Sequence, residues 1–187
     1  LGDLNQRGGG AISIQTPNGV VFDSIVYGER EAKRWMAGSN GFVRTKSFQG
    51  SEETAAGTRP VHFAIVYTKD GAITGYRDGQ LYGKSYTSVG LQQYEKSAVV
   101  SFGLRHLSAG GNKFLKARIL QAQLYDFALT AEAVAASAGD SKNYVSEAEL
   151  VKRMKGADKA TYQKLNAEQK RISDALAVLS KKGKYKI

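Results

Sequence analysis

Val61-His62-Phe63-Ala64-Ile65-Val66-Tyr67, followed by Thr68-Lys69-Asp70-Gly71 and then Ala72-Ile73-Thr74-Gly75-Tyr76-Arg77-Asp78-Gly79, decides how this chain is read. The first run is apolar on nearly both faces, which is the pattern of a central strand covered on two sides. The two Asp-Gly pairs that follow suit tight hairpins, because a type I′ turn needs positive φ at both central residues. Hairpins in close succession, with no long helix between them, point to antiparallel pairing.

The same grammar extends in both directions. Asn18-Gly19 and Asn40-Gly41 are further turn signals. Between these punctuation marks lie eight β-branched or aromatic runs: Ala11–Thr16, Val20–Tyr27, Phe42–Phe48, Val61–Lys69, Ala72–Asp78, Leu81–Thr87, Ser97–Leu104 and Leu115–Phe127. The last alternates, with Leu115, Ala117, Ile119 and then Leu124 set against Lys116, Arg118 and Gln123, and an irregularity near Gln121. The expected fold class is mainly β, an antiparallel jelly-roll β-sandwich.

After the strands the text changes. Thr130 to Gly139 reads as one short helix with Thr130 as N-cap and Gly139 as C′ residue. Eighteen of the 21 glycines, all seven Phe and the single Trp precede residue 139. From Asp140 onward Lys, Ala, Glu and Leu dominate, so two regions are expected, 1–139 and 140–187. The second reads as a C-terminal α-helical hairpin. Ser146-Glu147-Ala148-Glu149 fits a capping box, with Gly156 ending that helix. Asp158 caps a second helix running to about Lys182. On it Tyr162, Leu165, Gln169, Ile172, Leu176 and Leu179 form a short coiled-coil-like seam, marginal alone in water. The tail is therefore expected to pack on the first helix through Val145, Leu150, Val151 and Met154, on the sandwich, or on a partner helix.

Composition narrows the function classes. The chain has 187 residues, 42% of them hydrophobic, and opens at Leu1, so we expect a segment of a longer protein. It contains no cysteine and two histidines, which excludes thiolate chemistry and a histidine-rich metal site within this stretch. No apolar run approaches the about 18 residues that a membrane-spanning helix needs. The formal net charge is +10, of which +6 sits in residues 140–187. There the cations are interspersed with Glu and Ala rather than run together, so a solvated helix, not a specific nucleic-acid surface, is expected. Gly8-Gly9-Gly10 and Gly110-Gly111-Asn112-Lys113 lack the context of a phosphate loop.

Residues from about Gly8 to Gly139 resemble a concanavalin A-like lectin/glucanase domain of the laminin-G-like type. The likeness rests on His62 to Tyr67, on Tyr76-Arg77-Asp78-Gly79 with Gly83, and on Leu124-Tyr125-Asp126-Phe127-Ala128-Leu129-Thr130-Ala131-Glu132-Ala133-Val134, similar to the family's closing strand and helix. Phe22 to Arg30 and Arg34-Trp35-Met36-Ala37-Gly38 are similar to modules of this type in large bacterial exported, cell-surface proteins with c-type cytochrome domains. The resemblance implies a jelly roll, an exported or cell-surface setting, and a calcium ion held near one rim; Asp23 and Asp126 are the candidate ligands.

Three functional readings follow. The leading one is a non-catalytic recognition module binding a glycan or other cell-surface ligand, with Trp35 and Arg34 as the main platform and Tyr76, Arg77 and Tyr82 as the second. The alternative is a structural spacer that docks on neighbouring protein domains. The third is a carboxylate glycosidase. The family's paired-carboxylate signature is missing, and the nearest substitute is Glu29-Arg30-Glu31, whose acids share one face if that segment is extended.

Overall fold

The computed structural model describes residues 1–108, 114–139 and 151–183. The chain divides into two compact units, Leu1–Asn143 and Tyr144–Ile187. The first is built of strands in two antiparallel sheets; the second holds a long helix.

One sheet has the order β3-β2-β1-β8, from β1 (Gly9–Gln15), β2 (Phe22–Tyr27), β3 (Trp35–Ser39) and β8 (Val99–Phe102). The other is built around β5 (Ala72–Arg77), with β4 (Phe63–Tyr67) on one edge and the two-residue strands β6 (Gln80–Leu81) and β7 (Tyr86–Thr87) on the other. Hairpin chemistry explains the second sheet. Asp78 and Gly79 both take positive φ, 50° and 77°, and join Arg77 to its partner Gln80 as a two-residue turn demands. Gly71, φ 86°, turns β4 into β5.

The structure corrects four expectations. First, the third strand of the first sheet is Trp35–Ser39, not Phe42–Phe48. Asn40–Phe42 forms a single 3-10 turn after it, and the Asn40 carboxamide accepts from Phe22 N–H and Arg44 instead of closing a hairpin. Trp35–Ser39 carries Ala37 and Gly38, poor strand formers, but a Cβ at Gly38 would run into Val26 on the neighbouring strand. Secondly, Leu81–Thr87 is broken into β6 and β7. The break lets Phe48 cross, with Lys84 N–H donating to Phe48 O at 2.6 Å. Thirdly, β4 is not central: among the described residues it pairs with β5 only. Fourthly, Leu115–Phe127 is not a strand. Leu115 N–H donates to Gly103 O at 2.9 Å and Phe114 bridges Leu104, but residues 116–129 form no strand.

The short helix α1 (Ala131–Ser137) matches its reading. Thr130 Oγ1 accepts from Ala133 N–H at 3.2 Å, and Gly139 follows with φ 89°. In the second unit, α2 spans Gly156–Gly183 and places Asp158 in its first turn. The capping box at Ser146–Glu149 lies outside the described residues, as do Val145 and Leu150. On α2, Leu165, Ile172 and Leu176 are exposed. No helix among the described residues is long and apolar enough to cross a membrane.

One core cluster draws on both sheets. Tyr27, Trp35 and Ala37 from the first meet Ile73 from the second, with Phe48, Tyr82 and Leu115. The Trp35 ring lies 4.9 Å from Tyr27 and 5.1 Å from Phe63, edge-on to one and stacked on the other. Phe63 in turn meets Tyr82 edge-on at 5.1 Å. Such aromatic pairs add about 0.5–1.5 kcal/mol each beyond the area they bury.

The hairpin at Asp78-Gly79 lies under α1, and a Cβ at Gly79 would stand 2.8 Å from Ala135 Cα. Gly79→Ala combines a left-handed backbone with a backbone clash, and we expect it to lower unfolding free energy by about 2 kcal/mol or more. Gly103→Ala has the same kind of φ, 70°, in open space, and is expected to cost only about 1 kcal/mol. Urea denaturation of both variants checks the difference.

Candidate functional site

Of the residues offered as a ligand platform, Trp35 and Arg77 come together, but around a carboxylate that sequence reasoning missed. Glu53 lies in an irregular loop, and its side chain is 1% exposed. Its two oxygens accept five hydrogen bonds. Oε1 takes Ala55 N–H at 2.8 Å, Ala56 N–H at 3.0 Å and Arg77 Nη2 at 2.9 Å. Oε2 takes Trp35 Nε1 at 3.1 Å and Arg77 Nε at 3.1 Å. Burial alone would raise the Glu53 pKa. The Arg77 guanidinium, the Trp35 indole and the Ala55 N–H outweigh it and pull the group from 4.5 down to about 2.

This arrangement decides what Trp35, Arg77 and Tyr82 can do. Trp35 is 5% exposed, its ring faces covered by Tyr27 and Phe63 and its N–H spent on Glu53. It has no face left for a sugar, so its reading as an exposed platform is corrected. Tyr82 is equally buried, and its hydroxyl donates to Ser51 O at 2.6 Å. Arg77 grips Glu53 on one side and pairs with Asp78 on the other. Arg34 binds Gly50 O through Nε at 2.9 Å and stays partly exposed. Tyr76 is not brought to this cluster: strand alternation puts it on the face of β5 opposite Ile73, Gly75 and Arg77, half-buried.

No sequence signal picks out Glu53. Gln49-Gly50-Ser51-Glu52-Glu53 reads as a solvated loop, and its last residue is buried where Trp35 and Arg77, distant in the chain, converge on it.

Asp23 is likewise a structural anion. Arg44 Nε donates to Oδ1 at 2.7 Å and Tyr94 OH to Oδ2 at 2.9 Å. With both oxygens committed and a guanidinium in contact, Asp23 does not fit a calcium ligand. Asp126 lies exposed in the irregular stretch 116–129. Among the described residues no group of three His, Cys, Asp or Glu is placed to hold a metal.

The Glu29-Arg30-Glu31 reading required an extended segment, and residues 28–33 are bends and a turn. Glu29 pairs with Arg105, and both side chains are largely buried. Burial raises the Glu29 pKa against the pull of Arg105. Its Oε2 has no partner among the described residues.

A cleft of about 1770 Å³ opens in the first unit. Ala11, Ile12 and Ile14 of β1, residues 61–67 including β4, and the stretch 115–129 line it. At one end His62 Nε2 lies 3.3 Å from Ser137 Oγ. The Ser137 hydroxyl is shared with the backbone of its own helix. Ser137 donates its one proton to Val134 O at 3.0 Å, so it accepts from His62 Nε2–H. The pair ties α1 to the start of β4. It leaves His62 Nδ1 buried without a partner among the described residues, and burial holds the ring below its ordinary pKa of 6.5.

Comparison with known proteins returns no matching family model, no matching curated protein and no matching solved structure.

Two outcomes test this site. Glu53 has a folded pKa below its unfolded one, so its stabilisation is present above pH about 4.5 and is lost as pH falls toward about 2. Glu53→Gln is expected to flatten that limb of a stability-versus-pH curve, and Glu53→Ala to cost about 3 kcal/mol by leaving the buried Trp35 indole N–H and one side of the Arg77 guanidinium without a partner. His62 has a folded pKa below its unfolded one, and protonation favours the unfolded chain. Stability is therefore expected to fall as pH drops below about 6.5 in the wild type and not in His62→Gln, measured by urea titration at fixed pH.

Proposed function

We propose that this chain is a non-catalytic recognition module of a larger exported protein, built on a concanavalin A-like jelly-roll sandwich of the laminin-G-like type. Two antiparallel sheets sharing one aromatic core, the Asp78-Gly79 hairpin and the Thr130-capped helix support the fold reading. The observation that carries the functional reading is the commitment of the buried acids. Glu53 accepts five hydrogen bonds from guanidinium, indole and backbone donors, which keep it ionised, and the Asp23 oxygens are engaged by Arg44 and by Tyr94. Among the described residues Glu29 is the one buried acid with a raised pKa, and it faces Arg105 rather than a second carboxylate. Retaining and inverting glycosidases both need two carboxyl groups facing one another across a bond.

Between the two ligand classes, contact with neighbouring protein is favoured over glycan. A sugar site needs an exposed aromatic face flanked by planar polar groups. Trp35 and Tyr82 are in the core, whereas the large side chains exposed among the described residues include Phe42, Phe102, Phe114, Tyr125 and Phe127 and, on α2, Leu165, Ile172 and Leu176, which are mostly hydrocarbon.

Affinity electrophoresis of residues 1–187 against a panel of soluble polysaccharides, with calcium and with chelator, tests the choice. No retardation in either condition is the expected result. Saturable retardation that Tyr76→Ala abolishes would instead make this a lectin-like module.

A further inference from the structure

The helix α1 is tied to the rest of its unit by a single polar contact. Its backbone hydrogen bonds stay within residues 130–139, as those from Val134 N–H to Thr130 O and from Ala138 N–H to Val134 O show. Residues 117–129, which lead into it, bond only among themselves. Among the described residues, the one hydrogen bond that joins 117–139 to the rest of the chain is that of His62 Nε2 with Ser137 Oγ, at 3.3 Å. Beyond it α1 is held by packing: Val134 is fully buried, and Ala135 sits over Gly79 in the β5–β6 turn. A segment fastened so lightly opens at less than the free energy of global unfolding.

The polar tie is also the titratable one. With Nε2–H donated to Ser137, Nδ1 is the bare nitrogen of the ring, and it is buried with no partner among the described residues. A proton added there creates a second N–H donor with nothing to accept it and a charge in a buried position. Burial therefore opposes the charged ring. The charged groups around His62 do not remove that cost. Asp78, from the β5–β6 turn, favours the charged form, but its Oδ1 accepts from the His62 backbone N–H and its Oδ2 pairs with Arg59 and Arg77. The helix itself brings only Glu132, exposed in its first turn. The stretch before the helix brings Lys116, Arg118 and Asp126 to the same cleft, two cations against one anion.

We propose that His62 is an acid-operated latch on α1: a proton at Nδ1 frees the helix from His62 and from the Asp78-Gly79 turn while both sheets stay folded. Once α1 leaves, water reaches the ring and the charge carries no penalty, so acid favours the released form. Release uncovers Val134 and Ala135 and opens the end of the cleft that His62, Val134 and Ser137 line. This inference is independent of the ligand reading.

Native-state hydrogen exchange of the whole chain, in low concentrations of urea and corrected for the intrinsic pH dependence of exchange, tests it. The Val134 and Ala138 amides are expected to be at least about tenfold less protected than the slowest amides of β1 and β2, and to respond more weakly to urea, as a local opening does. Their protection is expected to fall at least about threefold between about pH 7.5 and about pH 5.5. In His62→Gln, which keeps a neutral donor for Ser137, that fall is expected to vanish. If this variant does not fold, NMR titration of both histidine rings in the wild type is read in its place, and the protection of α1 must follow His62 and not His106. Amides of α1 that open only together with the sheets, with the same urea dependence, overturn the proposal. So does protection that is independent of pH in the wild type, a fall that persists in His62→Gln, or one that follows His106.

Discussion

The Glu53 carboxylate is the interaction on which the first unit depends. A carboxylate removed from water is tolerable only when its charge and lone pairs are matched, and here five donors from three parts of the chain converge on it. Trp35 comes from the sheet of β1, β2, β3 and β8, Arg77 from the sheet around β5, and Ala55 and Ala56 from the loop between β3 and β4. One anion thus pins two sheets and a connection. It also fixes the indole whose ring stacks on Phe63, so the polar centre sets the geometry of the apolar one. Asp23 plays a related part, gathering Arg44 and Tyr94.

This use of charge shapes what the module can do. Arginine beside an aromatic residue is the composition of a sugar platform, and it is equally the composition of a buried ion pair with an aromatic lid. The two differ in which way the side chains face. Here Trp35, Arg77 and Tyr82 face inward and serve the core. Ser137 and His62 meet in a contact that fastens α1 to the start of β4, the Ser137 hydroxyl also bonding Val134 O within its own helix.

How much was legible varied with how local the cause was. β1, β2, β4, β5 and β8 were read from runs of β-branched and aromatic residues. The Asp78-Gly79 turn and the Thr130 cap were read from chemistry that acts over two to four residues. β3 was missed because Gly38 is there to let Val26 approach, a demand made by a neighbouring strand and invisible in the segment itself. Leu81–Thr87 was read as one strand because nothing in it announces that Phe48 crosses at Gly83. Glu53 was passed over because an acid in a polar loop is ordinarily solvated, and burial is a property of the crossing chain.

By itself, then, the sequence determined a mainly β unit with tight Asp-Gly turns and a capped helix, followed by a basic helical region. Backbone preference and hydrophobic periodicity act within a few residues, and these features need nothing more. Only the tertiary structure decided which aromatic residues are core and which acids are saturated. It alone placed β4 at an edge facing a cleft rather than in the middle of its sheet. Those outcomes depend on desolvation and on donors far apart in the chain, and no short window of residues contains either.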